Sequence, residues 1–167
     1  VNSANPVGHL VLYLCGYRDV ERQRLSDYTC TALQLANFWQ DVWVDYQDKG
    51  RIYLPLESLA KFGVSESDIA ERRATQQFLE IMKFEVARAR DWFRRGSSLA
   101  GKVDKHLAID IELFSRGGLE ILHAIERQGY DVLKSRPAIS KPRKLWLVAR
   151  AAMETLTYSP QRHGATG

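Results

Sequence analysis

Five polar side chains recur every three or four residues within one stretch of the chain, residues 31–48. They are Gln34, Asn37, Asp41, Asp45 and Asp48. The stretch contains no Gly and no Pro and is long enough for about five helical turns, so the spacing predicts a polar row along one face of a single helix. Most of its other residues are apolar, which is typical of a helix buried in a bundle. The row is therefore expected to face an interior cavity.

The two aspartates at the centre of the row, Asp41 and Asp45, indicate chemistry assisted by a metal ion. Carboxylates one helical turn apart repel each other, and no Lys or Arg between residues 25 and 48 offsets their charge. A hard divalent cation would offset it, and carboxylate and amide oxygens are ligands that Mg²⁺ accepts while it keeps waters for a phosphate partner. The alternative for an aspartate pair is a solvated helix face. The apolar surroundings and the aligned Asn37 and Gln34 favour the metal site.

This row and the segment that follows it resemble the second aspartate-rich motif of the squalene and phytoene synthase family. The resemblance is carried by the Q-x-x-N-x-x-x-D-x-x-x-D spacing of residues 34–45 together with the G-R-x-Y-L-P continuation at residues 50–55. Within the family the chain most resembles the bacterial hopanoid-pathway squalene synthases, which convert presqualene diphosphate into hydroxysqualene. The resemblance implies an all-α, class I isoprenoid-synthase helical bundle.

The resemblance also implies a set of site residues. In the family, the aspartates of this motif hold Mg²⁺ against the diphosphate leaving group, so Asp41 and Asp45 are expected to be catalytic and, with Asn37, to bind the metal. Residues expected to contact a prenyl diphosphate substrate are Gln34, Asn37, Phe38, Ser3 and Val7. Ser3 and Val7 belong to a start that is similar to a pocket helix of the family, in which small residues let a prenyl chain lie close to the backbone.

One position departs from the family pattern. Gln40 stands immediately before Asp41, where many members have an arginine. The departure makes phytoene synthesis, the alternative reaction in this family, less favoured than the hopanoid-type reaction. The aromatic residues Phe38, Trp39 and Tyr46 either line the cavity, where ring faces stabilise a cation, or pack in the core.

Composition is that of an ordinary globular protein and limits the class of partner. The 167 residues are 45% hydrophobic and 26% charged, with a net charge of +4. The mild positive charge suits a diphosphate or a membrane surface, and no nucleic-acid-binding signature is present. Cys15 and Cys30 show no metal or disulfide pattern and are expected to be buried thiols of a cytoplasmic protein. No apolar run reaches the roughly 18 residues of a membrane span, which leaves peripheral contact with an inner membrane open.

Apolar periodicity predicts helices at residues 7–15, 56–62, 75–95, 105–127 and 140–156, in one domain of residues 1–156 with a tail at 157–167. The charged segment 17–26 is expected to be a surface loop or short helix, with Ser26 or Asp27 capping the long helix that follows. Gly117-Gly118 lies within a predicted helix and indicates close packing or room for a ligand. Lys141, Arg143 and Lys144 fall in the first turn of the last helix, as a solvated end or an anion contact.

The family uses two aspartate-rich motifs on facing helices, and this chain carries one. The first residue, Val1, is not an initiator Met. The chain is therefore expected to be the C-terminal part of the enzyme, inactive without the N-terminal segment. Two alternatives of another class are a non-catalytic helical interaction domain, in which the Asp row faces solvent or a partner, and a peripheral membrane-binding module that uses the basic last helix. Neither explains the G-R-x-Y-L-P continuation.

Overall fold

The computed structural model describes residues 3–140 together with residues 142, 143, 145, 146 and 149. Within these residues the chain is helical with no β-strand, as predicted, and no helix is long and apolar enough to cross a bilayer. The helices are α1 Asn5–Leu14, α2 Val20–Gln40, α3 Val42–Lys49, α4 Leu56–Phe62, α5 Glu66–Ala70, α6 Gln76–Gly96 and α7 Lys105–Arg127, with a 3₁₀ helix at Ser97–Lys102 between the last two. The predicted tail, Lys141 and Lys144 lie outside the described residues.

The helix that carries the first part of the polar row, α2, is the centre of the bundle and packs against α1, α6 and α7. Its buried apolar residues recur at helical spacing, at Ala32, Leu35, Ala36 and Trp39. The predicted apolar face of α6 is confirmed, because its residues 78, 81, 82, 86, 89 and 93 are buried. Burial on three sides gives α2 little freedom to move, so the residues at its C-terminal end are held in place by the core.

The long helix begins earlier than the sequence predicts. Asp19 is the N-cap of α2, and its side chain accepts a hydrogen bond of 2.9 Å from the backbone N–H of Arg22. This bond holds the pKa of Asp19 below its usual range. The expected cap at Ser26 or Asp27 is wrong, and the charged segment forms the first turns of α2. The charged residues of segment 17–26 indicated a surface loop or short helix. In the structure most of them lie on the exposed side of the first turns of α2.

Each neighbour of α2 places a glycine where it approaches closely. These glycines are Gly8 of α1, Gly96 at the end of α6 and Gly118 of α7. A Cβ atom added to Gly8 would lie 2.3 Å from the Ser26 Oγ, and one on Gly96 would lie 2.3 Å from the Thr29 Oγ1. Such distances are far inside van der Waals contact, so a side chain at either position would force the neighbouring side chains or the helices themselves to shift.

The two adjacent glycines of α7 provide a matched test of this packing. Gly118→Ala is expected to cost about 1–3 kcal/mol of unfolding free energy, because its Cβ would lie 2.4 Å from the Phe93 ring and 3.0 Å from Leu33. Gly117→Ala meets no atom within 4 Å and is expected to stabilise the helix by up to about 1 kcal/mol. Urea unfolding of both variants checks the pair. Equal effects of the two substitutions would contradict the packing.

The two cysteines differ from the expectation of buried thiols. Both are free, but Cys15 is exposed at the end of α1 and only Cys30 is partly buried. Burial raises the pKa of the Cys30 thiol. The prediction failed at Cys15 because α1 is apolar around much of its circumference, while only Leu12 of that helix is buried against the rest of the described chain.

Candidate functional site

The polar row crosses a break between two helices. The single helix predicted for residues 31–48 is wrong at Asp41, where α2 ends with φ −108° and ψ 17° and α3 begins one residue later. Helical hydrogen bonds nevertheless continue through the break. The Asp41 N–H donates to the Asn37 carbonyl at 3.0 Å, and the Asp45 N–H donates to the Asp41 carbonyl at 2.8 Å. The two aspartates therefore stay one turn apart but belong to different helices.

The side chains of the row differ in exposure. Asp45 is buried and only 7% exposed, and the Asp41 side chain is 24% exposed. Asn37 and Asp48 are exposed and Gln34 is partly buried. The expectation that the whole row faces inward is therefore wrong at Asn37 and Asp48. Asp41 and Asp45 are the charged residues of the row that are largely shielded from water. A shielded charge needs a partner, because burial of an unpaired charge is costly.

Each of the two central carboxylates is paired with a basic side chain. Asp41 accepts from Arg136 through both oxygens, from Nε to Oδ1 and from Nη2 to Oδ2, the second at 3.1 Å. Asp45 accepts from the Lys49 Nζ at 2.6 Å. The carboxylates raise the pKa of Arg136 and of Lys49. Residues 25–48 contain no Lys or Arg, as noted above, but Lys49 and Arg136, which lie outside that range, offset the charge of the pair.

Gln40 connects the same region to the chain segment that supplies Arg136. The Gln40 side chain is buried and donates from Nε2 to the Pro137 carbonyl at 2.7 Å, while its Oε1 accepts from the Arg136 Nη2 at 3.0 Å. Ninety-six residues separate Gln40 from Arg136. No local pattern in the sequence signals such a contact, which is why Arg136 was missed. A guanidinium is thus present beside Asp41 although position 40 has no arginine.

The G-R-x-Y-L-P continuation turns the chain back onto α2. Gly50 ends α3 in the left-handed conformation, with φ 59°, which glycine adopts without strain. The turn lets the Tyr53 ring stack on Phe38, with centroids 4.1 Å apart and ring planes 1° from parallel. Leu54 is buried in the core. Phe38, predicted to contact substrate, therefore presents one ring face to Tyr53, and Trp39 is fully buried in the core.

The start of the chain lies beside the polar row. The Gln34 Nε2 donates to the Ser3 Oγ at 2.9 Å, and the Thr31 Oγ1 donates to the Asn5 Oδ1 at 3.2 Å. These bonds hold the first turn of α1 against the middle of α2. Two of the predicted substrate-binding residues, Ser3 and Gln34, are thus brought together, and Val7 follows one turn along α1 with 60% of its surface exposed.

An apolar cavity of about 410 Å³ lies between α1, α2 and α7. Its walls include Val7, Gly8 and Val11 of α1, Cys30 and Leu33 of α2, and Phe114 of α7. Phe114 is 62% exposed at the wall, so the cavity is open on this side. On α2 the wall residues 26, 30 and 33 continue at helical spacing to 37 and 41. One face of α2 therefore carries the cavity wall and leads to Asp41, which caps the end of the helix.

The residues at the helix break fit a divalent cation by type and charge. Asp41 and Asp45 offer carboxylate oxygens and Asn37 offers an amide oxygen, which are the ligand atoms that Mg²⁺ prefers. Among the described residues no group of three or more His, Cys, Asp and Glu side chains is placed to hold a metal ion. Two carboxylates are enough for a site in which Mg²⁺ also takes waters and substrate phosphate oxygens. The role of these three residues as ligands stays a prediction.

Comparison with known proteins gives the family. The family described as squalene/phytoene synthase matches residues 2–143. The chain belongs to the squalene/phytoene synthase family. The expected resemblance is therefore confirmed, and the match includes the polar row and its continuation as well as α1, α6 and α7. The relatives below, which are prenyltransferase-type synthases, show how far the likeness extends.

Two curated relatives are named for the two reactions considered above, phytoene synthesis and hydroxysqualene synthesis. The chain is 37% identical over 117 residues to the 15-cis-phytoene synthase of Synechocystis, covering 68% of this chain and 34% of that protein. It is 26% identical over 156 residues to the hydroxysqualene synthase of Zymomonas mobilis, covering 90% of this chain and 50% of that protein. The chain thus spans half or less of the length of these squalene/phytoene synthase relatives.

Two solved structures share the fold. The squalene synthase HpnC of Alicyclobacillus acidocaldarius is 48% identical with a TM-score of 0.74, covering 77% of this chain and 48% of that one. A dehydrosqualene synthase in complex with a ligand has a TM-score of 0.78 at 24% identity, covering 93% and 54%. The second likeness shows the fold alone. Together they confirm that the described bundle is part of an isoprenoid-synthase fold.

Proposed function

We propose that this chain supplies the second aspartate-rich half of a Mg²⁺-dependent synthase that ionises presqualene diphosphate or farnesyl diphosphate on the way to hydroxysqualene or squalene. The continuity of the cavity wall with Asp41 along one face of α2 is the observation that carries the proposal. Leu33 in the wall and Asp41 are separated by about 12 Å along the helix axis. This separation suits a substrate with an apolar prenyl tail at one end and a charged diphosphate at the other.

In the proposed site, one end of that face binds the metal and the diphosphate and the other end binds the prenyl chain. Bound Mg²⁺ would neutralise charge on the departing diphosphate oxygens as a Lewis acid. Asp41 and Asp45 would hold it there with Asn37, and Gln34 would hydrogen-bond near the diphosphate. Val7 lines the cavity, and Ser3 accepts a hydrogen bond from Gln34; both would contact the substrate. The apolar walls exclude water and shelter the prenyl carbocation after ionisation. The use of a divalent metal by the family supports this assignment.

The hopanoid-type reaction is favoured over phytoene synthesis. The likeness to the Alicyclobacillus squalene synthase, at 48% identity, exceeds the 37% identity to the Synechocystis phytoene synthase. Gln40 in place of the arginine common in the family supports the same choice. Phytoene synthase is therefore the second candidate, and the product distinguishes the two.

The exposed side of α1 is where we expect the rest of the enzyme to pack. Four apolar residues of this helix, Val7, Leu10, Val11 and Leu14, are between 40% and 79% exposed, and they continue from the open cavity. The matched part of the relatives is about half of their length or less. We propose that the remaining part, with the first aspartate-rich motif, covers this face, closes the cavity and adds a second set of metal ligands across the cavity from Asp41 and Asp45.

The test is to restore the missing part and identify the product. A chimera would join the region of Alicyclobacillus HpnC outside the matched part to this chain, and it would be supplied with Mg²⁺ and each prenyl diphosphate in turn. Hydroxysqualene or squalene is the expected product by gas chromatography and mass spectrometry, and neither half alone should form it. Phytoene from geranylgeranyl diphosphate would favour the second candidate.

The same preparations separate the enzyme from the other classes of function. A folded chimera that forms no Mg²⁺-dependent product, together with an isolated chain that binds no diphosphate, would favour the helical interaction domain. Binding of the isolated chain to anionic vesicles that disappears at high salt and is unchanged by Asp41→Asn would favour the peripheral membrane module. Arg143, which the membrane alternative would use, donates to the buried Glu120 at 2.7 Å, so its charge is offset within the chain.

A further inference from the structure

Arg136 occupies both oxygens of a carboxylate that the proposed function assigns to the metal. Its Nε and Nη2 donate to the two Asp41 oxygens, and Nη2 also donates to the Gln40 Oε1. Each Asp41 oxygen keeps a second lone pair, but a divalent cation bound there would lie within a few Å of the Arg136 guanidinium, and the two positive charges would repel each other. Arg136 and a metal ion therefore compete for one carboxylate.

The backbone that carries Arg136 is fixed on both sides of it. The Arg72 side chain donates to the Leu133 carbonyl at 2.8 Å and to the Lys134 carbonyl at 3.0 Å. On the other side Gln40 donates to the Pro137 carbonyl at 2.7 Å. Leu133 itself is fully buried. Release of Asp41 therefore needs only rotation of the Arg136 side chain, which is 53% exposed and has open solvent to enter.

The glutamine at position 40 holds the segment of Arg136 through both of its amide atoms. A glutamine amide accepts through Oε1 and donates through Nε2, and here it accepts from Arg136 and donates to Pro137. An arginine at this position has no acceptor and would repel the Arg136 guanidinium. The departure from the family pattern at Gln40 is thus explained by its two bonds to the segment of Arg136.

We propose that Arg136 is an ionic latch, positioned by Gln40, that holds Asp41 in the metal-free chain and is displaced when a divalent cation binds. The latch rests on the proposed function, because it needs Asp41 to be a metal ligand. It gives the metal-free site a fixed geometry, since the two aspartates are held by Arg136 and Lys49 in place of the ion. It also makes the affinity for the metal lower than the two carboxylates alone would give.

The test follows the Arg136 Nε–H signal by NMR during a titration of the complete 167-residue chain with Mg²⁺. We expect this signal to move to the position of an unpaired arginine as Mg²⁺ saturates, and to start there in Asp41→Asn. Arg136→Gln should bind Mg²⁺ more tightly by roughly fivefold, the typical worth of a half-exposed ion pair. Arg136→Lys, which keeps the charge but loses the fork, should lie between the two.

Arg95→Gln is the matched control, because Arg95 is also 53% exposed and pairs with an aspartate, Asp91, remote in sequence from the polar row. It should leave the affinity for Mg²⁺ unchanged. Metal-dependent shifts at Asp41 and Asp45 with an unmoved Arg136 signal, or an unchanged affinity in a folded Arg136→Gln, would overturn the latch and leave the proposed function intact. No metal-dependent shift in either the unaltered chain or Arg136→Gln would count against both.

Discussion

Replacing Asp41 or Asp45 with asparagine in the chimeric synthase is expected to lower kcat/KM by about 10²–10³-fold, as removal of one group that stabilises developing charge does in other enzymes. Asparagine keeps the shape of the side chain but removes the negative charge that holds the metal against the leaving diphosphate. Steady-state assays at several Mg²⁺ concentrations measure the effect. Part of the activity should return at high Mg²⁺ if the loss is one of metal affinity.

Asp48→Asn is the matched control for this pair. Asp48 lies on the same row, three residues after Asp45, and is exposed. Its charge is expected to be dispensable, with kcat/KM within about twofold of the unaltered chimera, as for most exposed polar positions away from the site. A loss at Asp48 equal to that at Asp41 would show that the row acts through its overall charge and not through two specific ligands.

Trp39→Ala is expected to cost about 3–5 kcal/mol of unfolding free energy, the range for removal of a large buried aromatic residue. Trp39 is fully buried at the end of α2, directly before Gln40 and Asp41, and belongs to the core cluster. The cavity left behind would loosen the end of the helix that presents the site. Urea denaturation of the isolated chain, followed by circular dichroism, measures the loss.

Trp39→Phe separates the packing from the polar group of the ring. The Trp39 Nε1 is buried and has no hydrogen-bond partner in the described structure, so removal of its N–H forfeits no bond. This change is expected to cost less than about 1.5 kcal/mol, as for other core substitutions that largely keep the shape. If Trp39→Phe were as damaging as Trp39→Ala, an unseen partner of the indole N–H would be the better explanation.

Much of the fold followed from periodicity alone. The apolar face of α6 and the bounds of α4 are set by residues close together in the chain. Such local signals are read directly from sequence because hydrogen bonds and side-chain spacing within one helix determine them. The start of α2 was missed because the Asp19 cap precedes a run of charged residues that carries no apolar period.

The site was only partly predictable. The residue types at 34, 37, 41 and 45 indicated oxygen ligands, but their surroundings depend on contacts between distant segments. Arg136 reaches Asp41 across 95 residues, and Tyr53 covers a face of Phe38 after the turn at Gly50. The exposure of Asn37 and Asp48 likewise depends on which elements pack beside the row. Pairings of this kind follow from the tertiary arrangement, which no short window of sequence contains.

The break at Asp41 gives the proposed metal site a property that an unbroken helix would lack. Within one regular helix the rise per residue sets the spread between two carboxylates one turn apart. Here Asp41 stands at the joint and Asp45 on the short helix beyond it, while the hydrogen bond from the Asp45 N–H to the Asp41 carbonyl keeps the two segments coupled. In the proposed metal site, a small bend at this joint would change the distance between the two carboxylates as the charge between them changes.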